Sequence, residues 1–499
     1  MKHRLLHTIM IAVFLAVCWS HSSVCNNAPL NTNDLPVNGG DSVQTKYLAF
    51  QIFIPTENMN ERANFPPLQQ SIEDTVGDII RKIGTVGSKN RKLGFIVGPL
   101  SFNNTDDQIR QLMRSSFSVA LRHNIAVGFH IDDSMFWDRL SYLNKLENIE
   151  WMDWNKTPNT GRRLDWSSTP TKIMPQLCLN SSAVRKEVHM RAVVIGEEVK
   201  RGLVTLKAAG KDRLFLGIIS GWETQIGRDF DTGKFLGYCA LSNKGYSAKH
   251  PPANMDEARA NIVKEFIDFW AKSLAVGGVP DKKIYSQIAF MSKIVYDAAD
   301  TPNNPAESKR SYLATINFTP PRVAFGQHHY PGFSTYPAVG HLDQIHMELV
   351  KNGNIPWASL EGTAIDPGDA EKGGSGMSME AYLGNLYNHG AILVNIFGWA
   401  VGSPSNPFRK IAESQKSIES YQKFLRGEKM KEDSTLGGAP SVGFISKLHK
   451  VQKELPLYVR KYGPNDVKAL ADAIEKQIKS AQYTEAEKTA DKILVIIEK

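Results

Sequence analysis

Short runs of apolar and β-branched residues recur along the chain, each followed by a stretch whose apolar residues fall at helical spacing. The runs lie at Tyr47–Ile54, Leu93–Val97, Ile125–Ile131, Leu214–Ser220, Ile284–Phe290, Arg322–Gln327, Pro356–Leu360 and Ile392–Phe397. Between them, Asp106–Arg122, Ala183–Ala208, Met255–Val276, Ala338–Asn352 and Met379–His389 carry the amphipathic pattern of helices. Strand-helix alternation predicts a parallel sheet, and eight such units close into a barrel. The expected fold class is α/β: a (β/α)8 TIM barrel over residues 45–410.

The last four runs follow one another by roughly 35 residues, the length of one βα unit. The connection from the third run to the fourth is longer and includes Asp132–Leu179, rich in Trp, Asp, Asn and Pro. A second long loop, Thr224–Met255, follows the fourth run. Both leave the carboxyl ends of strands, where barrel proteins build their sites. From residue 411 the chain reads as helices rich in Lys and Glu, interrupted at Leu436-Gly437-Gly438-Ala439-Pro440. Leu470, Ala473, Ile474 and Ile478 keep helical spacing. Residues 411–499 are expected to form a C-terminal helical appendage packed on the barrel.

The chain opens with an export pattern. Lys2 and Arg4 precede an apolar run from Ile9 to Cys18, then small and polar residues around Ser20–Ser23. The run is too short to span a bilayer, so residues 1–25 are expected to be a signal peptide and 26–44 a linker. Leu15-Ala16-Val17-Cys18 also resembles a bacterial lipobox, which adds a lipoprotein anchor as an alternative. No later apolar stretch is long enough to cross a membrane. The expected location is outside the cytoplasm: secreted, periplasmic or at the cell surface.

Composition adds little to this picture. Hydrophobic residues at 42% and charged residues at 22% suit a folded globular chain. The net charge of +8 is spread without a Lys/Arg cluster, so no nucleic-acid partner is expected. Cys178 and Cys239 remain in the folded body; a disulfide between them and two buried thiols both stay open. Neither sits in a CxxC or His-rich context, and no metal or cofactor is expected.

The chemistry lies just past the strands. The fourth run ends in Gly221-Trp222-Glu223 and the seventh in Glu361-Gly362-Thr363. A glutamate at each of these ends would stand on the rim facing the barrel axis. Two carboxyl groups held across a bond are what glycosidic cleavage requires: one protonates the leaving oxygen, the other attacks the anomeric carbon or activates water. Asp132 and Asp133, after the third run, are candidates to bind sugar hydroxyls or to cap their own loop. Gln327, His329 and Tyr330 are candidates near the end of the sixth run, with a phenol there placed to favour an ionised carboxylate. Trp137, Trp222 and Trp399 are candidate platforms for sugar rings.

This arrangement resembles the clan-A glycoside hydrolases, the superfamily of barrels with glutamates after strands four and seven. The resemblance spans most of residues 45–400 as an architecture. It implies that Glu223 is the acid/base and Glu361 the nucleophile of a retaining glycosidase acting on oligo- or polysaccharides. It further matches a His- or aromatic-bearing strand-six end to His328-His329-Tyr330 and a strand-eight tryptophan to Trp399. Many members carry Asn before the strand-four Glu, where its amide contacts the sugar 2-hydroxyl. Here that position is Trp222, so the contact must come from elsewhere.

Two other readings compete. An exported barrel that binds glycan without cutting it would share the fold. A metal-dependent barrel hydrolase would use His328, His329, Asp132 and Asp133, but strand one lacks a His-x-His pair, and adjacent histidines on an extended strand point to opposite sides.

Overall fold

The computed structural model describes residues 44–54, 71–88, 90–163, 171–289, 319–336, 341–364, 377–401, 404–432, 442–463, 465–479 and 483–498. The expected signal segment and all but the end of the linker lie outside the described residues.

Eight parallel strands form the barrel: β1 Lys46–Phe53, β2 Arg91–Leu100, β3 Ala126–Ile131, β4 Phe215–Ser220, β5 Ile284–Ser286, β6 Gly332–Ser334, β7 Trp357–Gly362 and β8 Ala391–Ile396. They pair in the order β5-β4-β3-β2-β1-β8-β7-β6. Parallel bridges Tyr285–Tyr330 and Ile288–Phe333 join β5 to the β6 segment and close the ring. The helices in chain order are α1 Ile72–Ile83, α2 Asp106–His123, α3 Ser182–Ala208, α4 Tyr238–Asn243, α5 Met255–Gly277, α6 His341–Lys351, α7 Met379–Tyr387, α8 Pro407–Ala412 and α9 Gln415–Leu425. The chain is a TIM barrel. Among the described residues, no helix is long and apolar enough to cross a membrane.

The strands are buried on both faces, which is why they read as near-continuous apolar runs. Tyr47, Ala49, Ile96, Ala126, Leu216, Tyr285, Ala358, Leu360 and Leu393 pack together as one interior cluster. Phe50 of β1 lies against the rings of Tyr421 on α9 and Trp399. Large and small residues alternate around the interior: Leu216 fills space left by Gly94 and Gly128. A Cβ on Gly128 would collide with Leu216 Cδ1 and come 2.8 Å from the Gly217 carbonyl oxygen.

Strand six is where the sequence pattern misleads. The run Arg322–Gln327 is not a strand; Pro321–Ala324 forms a single 3₁₀ turn. Pro320 and Pro321 supply no backbone N–H to a ladder, and Val323, Ala324 and Phe325 are apolar because the turn itself is buried. The true strand, Gly332-Phe333-Ser334, is too short to show a pattern. Its glycine is required, since a Cβ there would meet the Ser286 carbonyl oxygen and Leu360. His328, His329 and Tyr330 therefore precede strand six instead of following it.

The barrel unit also extends beyond residue 410. Helix α9 belongs to it: Phe424 stacks on Tyr387 at 4.0 Å, and Arg91 Nη1 donates to the Phe424 carbonyl oxygen at 2.9 Å. The Lys- and Glu-bearing face of α9 is its outer one, which is why it read as part of the appendage. Three further helices, α10 Val442–Tyr462, α11 Lys468–Lys479 and α12 Tyr483–Ile497, form a unit with its own core of Val451, Leu455, Val467, Ile474, Ala486, Ala490, Ile493 and Leu494.

Gly128→Ala should destabilise the barrel by about 1–3 kcal/mol through overpacking of the Leu216 layer, read as a lower urea midpoint with an unchanged slope. An unchanged midpoint would show that the interior layer is not tightly filled.

Candidate functional site

The site is built from the carboxyl ends of β4, β5, β6 and β7. After Ser220, the chain turns sharply through Gly221, with φ of 124°, and Glu223, with φ of 53°. A side chain at Gly221 would run into Thr224 Oγ1 and lie 3.4 Å from Asp133 Oδ2. That closeness has a purpose in the local structure: Thr224 Oγ1 donates to Asp133 Oδ2 at 2.6 Å, and Asp133 also accepts from the Trp222 backbone. The His130 Nε2 meets the Gly221 carbonyl oxygen at 3.0 Å, and the Trp222 indole stacks on the His130 ring at 4.1 Å. The Thr224 amide donates to the Gln287 carbonyl oxygen at 3.3 Å, tying the turn to the end of β5.

Held this way, Glu223 is 8% exposed and reaches across to β6, where Ser334 Oγ donates to its Oε1 at 2.6 Å. Glu361 lies in β7 in register with Ser334. Its Oε1 accepts from the Tyr336 hydroxyl at 3.0 Å and its Oε2 from Gln287 Nε2 at 3.3 Å. The same Gln287 nitrogen donates to Ser334 Oγ at 3.0 Å. Three linked hydrogen bonds thus connect Glu223 Oε1 to Glu361 Oε2. Their lengths limit the separation of the two oxygens to at most about 9 Å. The two glutamates share one mouth.

Burial, followed by the charges of Glu361 and Glu223, pushes the Tyr336 phenol well above its usual value. It therefore stays protonated and acts as a donor. Aromatic rings form an arc along the same side: Trp222 lies 5.6 Å from Phe53, Phe53 5.4 Å from Phe397, and Phe397 6.2 Å from Tyr336.

The other expected residues divide by position. Asp133 faces the Glu223 turn and holds it, with its carboxyl raised by burial. Asp132 does not face the site: its carboxylate accepts from the backbone amides of Ser134, Met135 and Phe136, so it caps its own loop. Burial, then the neighbouring Asp133, pushes it up to about 7. Trp137 is fully buried, with its indole N–H donating to the Pro175 carbonyl oxygen at 3.1 Å, and cannot serve as a platform. Trp222 sits at the site, but His130 covers one of its faces. Trp399 packs edge-on against Phe50 at 4.8 Å with the Lys82 ammonium over its ring; it belongs to the layer between barrel and helices.

Gln327 is exposed on the loop before β6. His329 Nε2 pairs with Asp268 of α5 at 3.2 Å, while His328 pairs with Asp281 at 3.4 Å. Tyr330 bridges to Tyr285 near the start of β5. All four lie on the amino-terminal side of strand six, away from the glutamates. The phenol beside Glu361 is Tyr336, which with Ser334 and Gln287 escaped the sequence reading. Ser334 and Tyr336 are two residues apart and share a face; Gln287 is the polar residue two positions after the inward Tyr285.

Among the described residues, no group of three His, Cys, Asp or Glu side chains is placed to hold a metal ion. In the loop after β3, Glu150 is fully buried and accepts from the Cys239 amide at 3.1 Å. Burial pushes its carboxyl up to about 8.

No protein-family model matches the sequence, and no curated protein does. Solved structures match in fold only. The catalytic domain of a β-amylase from Paenibacillus polymyxa aligns at a TM-score of 0.47 and 9% identity, covering 78% of this chain and 100% of that one. A broad-specificity endoglucanase from an uncultured bacterium gives 0.38 and 8%, over 76% and 95%. A β-galactosidase from Rahnella sp. R3 gives 0.40 and 10%, over 78% and 58%.

Two outcomes follow. Gly221→Ala should cost about 1–3 kcal/mol from strain at a positive φ and move Glu223 off Ser334, checked by urea unfolding and a crystal structure; an undisturbed Glu223 would contradict the role given to this turn. For Glu150, the folded chain keeps its proton up to about pH 8, whereas the unfolded chain releases it near the ordinary 4.5. Its contribution to stability is therefore complete at low pH and lost as pH rises through that window, by up to about 1.4 kcal/mol per unit. Thermal melts from pH 5 to 9 should show wild type falling relative to Glu150→Gln; parallel curves would refute the assignment.

Proposed function

We propose that this chain is a retaining glycoside hydrolase of oligo- or polysaccharides, with Glu361 as nucleophile and Glu223 as acid/base. The observation that carries this reading is the hydrogen-bonded bridge from Glu223 through Ser334 and Gln287 to Glu361. Glycosidic cleavage needs two carboxyl groups on either side of one bond, about 5–5.5 Å apart for retention and roughly 6.5–9.5 Å for inversion. The bridge holds the two bridged oxygens no farther apart than about 9 Å, short of the upper end of that span.

The partners of the two acids differ in a way that fits separate roles. Glu361 accepts from the Tyr336 phenol, which burial keeps protonated, and from the Gln287 amide, a setting complementary to a carboxylate. Glu223 faces the Ser334 hydroxyl, which donates or accepts and so suits a group that gains and loses a proton in each cycle. In the reaction, Glu361 attacks the anomeric carbon as Glu223 protonates the departing oxygen. Water deprotonated by Glu223 then attacks the same carbon, releasing the sugar and freeing Glu361. Phe53 and Tyr336, the less buried rings of the arc, offer aromatic surface to the sugar's C–H faces. The leading export pattern supports action outside the cytoplasm.

The test is turnover of a panel of aryl glycosides and polysaccharides. Wild type should hydrolyse at least one with retained anomeric configuration by NMR, and Glu361→Gln should abolish it. Glu223→Gln should lose about 10²–10⁴-fold on poor leaving groups and much less on activated ones. Glycan binding that survives both substitutions, with no turnover by wild type, would replace this reading with that of a binding protein.

A further inference from the structure

The loops that leave β3 and β4 meet at two cysteines. Cys178 stands at the end of the first loop, just before α3, and Cys239 in the first turn of α4 in the second; both are buried thiols. The same short stretch touches both: the Cys178 amide donates to the Asn148 carbonyl oxygen at 2.8 Å, and Cys239 Sγ lies 3.8 Å from the Glu147 carbonyl oxygen. Asn243, one helical turn after Cys239, donates through Nδ2 to Cys178 Sγ at 3.4 Å and to Asn180 Oδ1 at 2.9 Å. Asn180 Nδ2 in turn donates to the carbonyl oxygen of Ala240, the residue after Cys239, at 2.8 Å.

From this juxtaposition we propose that Cys178 and Cys239 are a disulfide-forming pair, whose oxidation ties the loop after β3 to the loop after β4. In the step, both thiols are oxidised and an S–S bond forms between them. Two protons and two electrons pass to an external disulfide, whose S–S bond breaks to give two thiols. Burial, the contact with Cys239 and the nearby Glu150 push the Cys178 thiol well above its usual value, so in the reduced fold it is a poor free nucleophile. The link would close a long loop, the case in which a cross-link restricts the unfolded chain most. It would also brace the two segments that carry Asp133 and Glu223. The inference is independent of the reaction proposed above.

The full chain should be equilibrated with oxidised glutathione, acid-quenched, alkylated, digested and mapped by mass spectrometry. The expected product is a cross-linked peptide pair joining Cys178 to Cys239, lighter by two hydrogens than the two thiol peptides together. Its melting midpoint should exceed that of the dithiothreitol-treated protein by about 5 °C, and this dependence on reductant should vanish in Cys239→Ser. Both cysteines recovered as alkylated thiols, including after refolding in the oxidised buffer, would overturn the proposal. So would a bond from either of them to Cys18 or Cys25.

Discussion

Two carboxyl groups at one barrel mouth repel each other when both are charged, by at least about 2 kcal/mol at a separation near 9 Å and an effective dielectric of about 20. The rest of the site is arranged around that constraint. Ser334 and Gln287 stand between the two acids and give each a hydrogen bond, while Tyr336 adds a second donor to Glu361. Asp133, buried behind the Glu223 turn, interacts with Thr224 and the Trp222 backbone instead of adding a third acid to the bridge. Removing the amide and the hydroxyl would leave that repulsion without these two donors to offset it.

The barrel supplies the rigidity this requires. Glu361 is fixed by its strand, and Glu223 by a turn that only glycine at position 221 permits. Below them, His130, Gln51 and Asn395 form a buried polar layer: Gln51 Oε1 accepts from Asn395 Nδ2 at 2.9 Å and meets His130 Nδ1 at 3.1 Å. Burial pushes His130 down to about 3, so the layer carries no cation at neutral pH. Deeper still, the Leu216 layer packs against glycines. The ordering runs from apolar interior to neutral polar layer to paired acids, with the charged groups nearest the mouth.

The parts of this arrangement that were legible in the sequence are those carried by long, doubly buried strands. β4 and β7 show as apolar runs, and the first acid beyond or within their ends can be named, because a parallel barrel leaves every strand's carboxyl end at the same mouth. The β6 end was not legible. A strand of three residues beginning with glycine has no periodicity, and the buried turn that starts at Pro321 imitates one; spacing alone therefore points to Tyr330 for the phenol that is Tyr336. Trp137 and Trp399 show a second limit. An indole looks the same in a sequence whether it lines a cleft or fills a core, and only the hydrogen bond of Trp137 to Pro175 and the position of Trp399 on Phe50 separate the cases.

The central claim is that Glu361 attacks carbon. The most direct measurement is trapping with 2-deoxy-2-fluoro glycosides bearing activated leaving groups, which accumulate the glycosyl-enzyme, followed by intact-mass and peptide mapping. The account predicts one sugar per chain, bound as an ester to Glu361, with turnover lost in proportion to labelling. A label on any other residue, or continued hydrolysis of the parent glycoside with no covalent adduct formed, would contradict it.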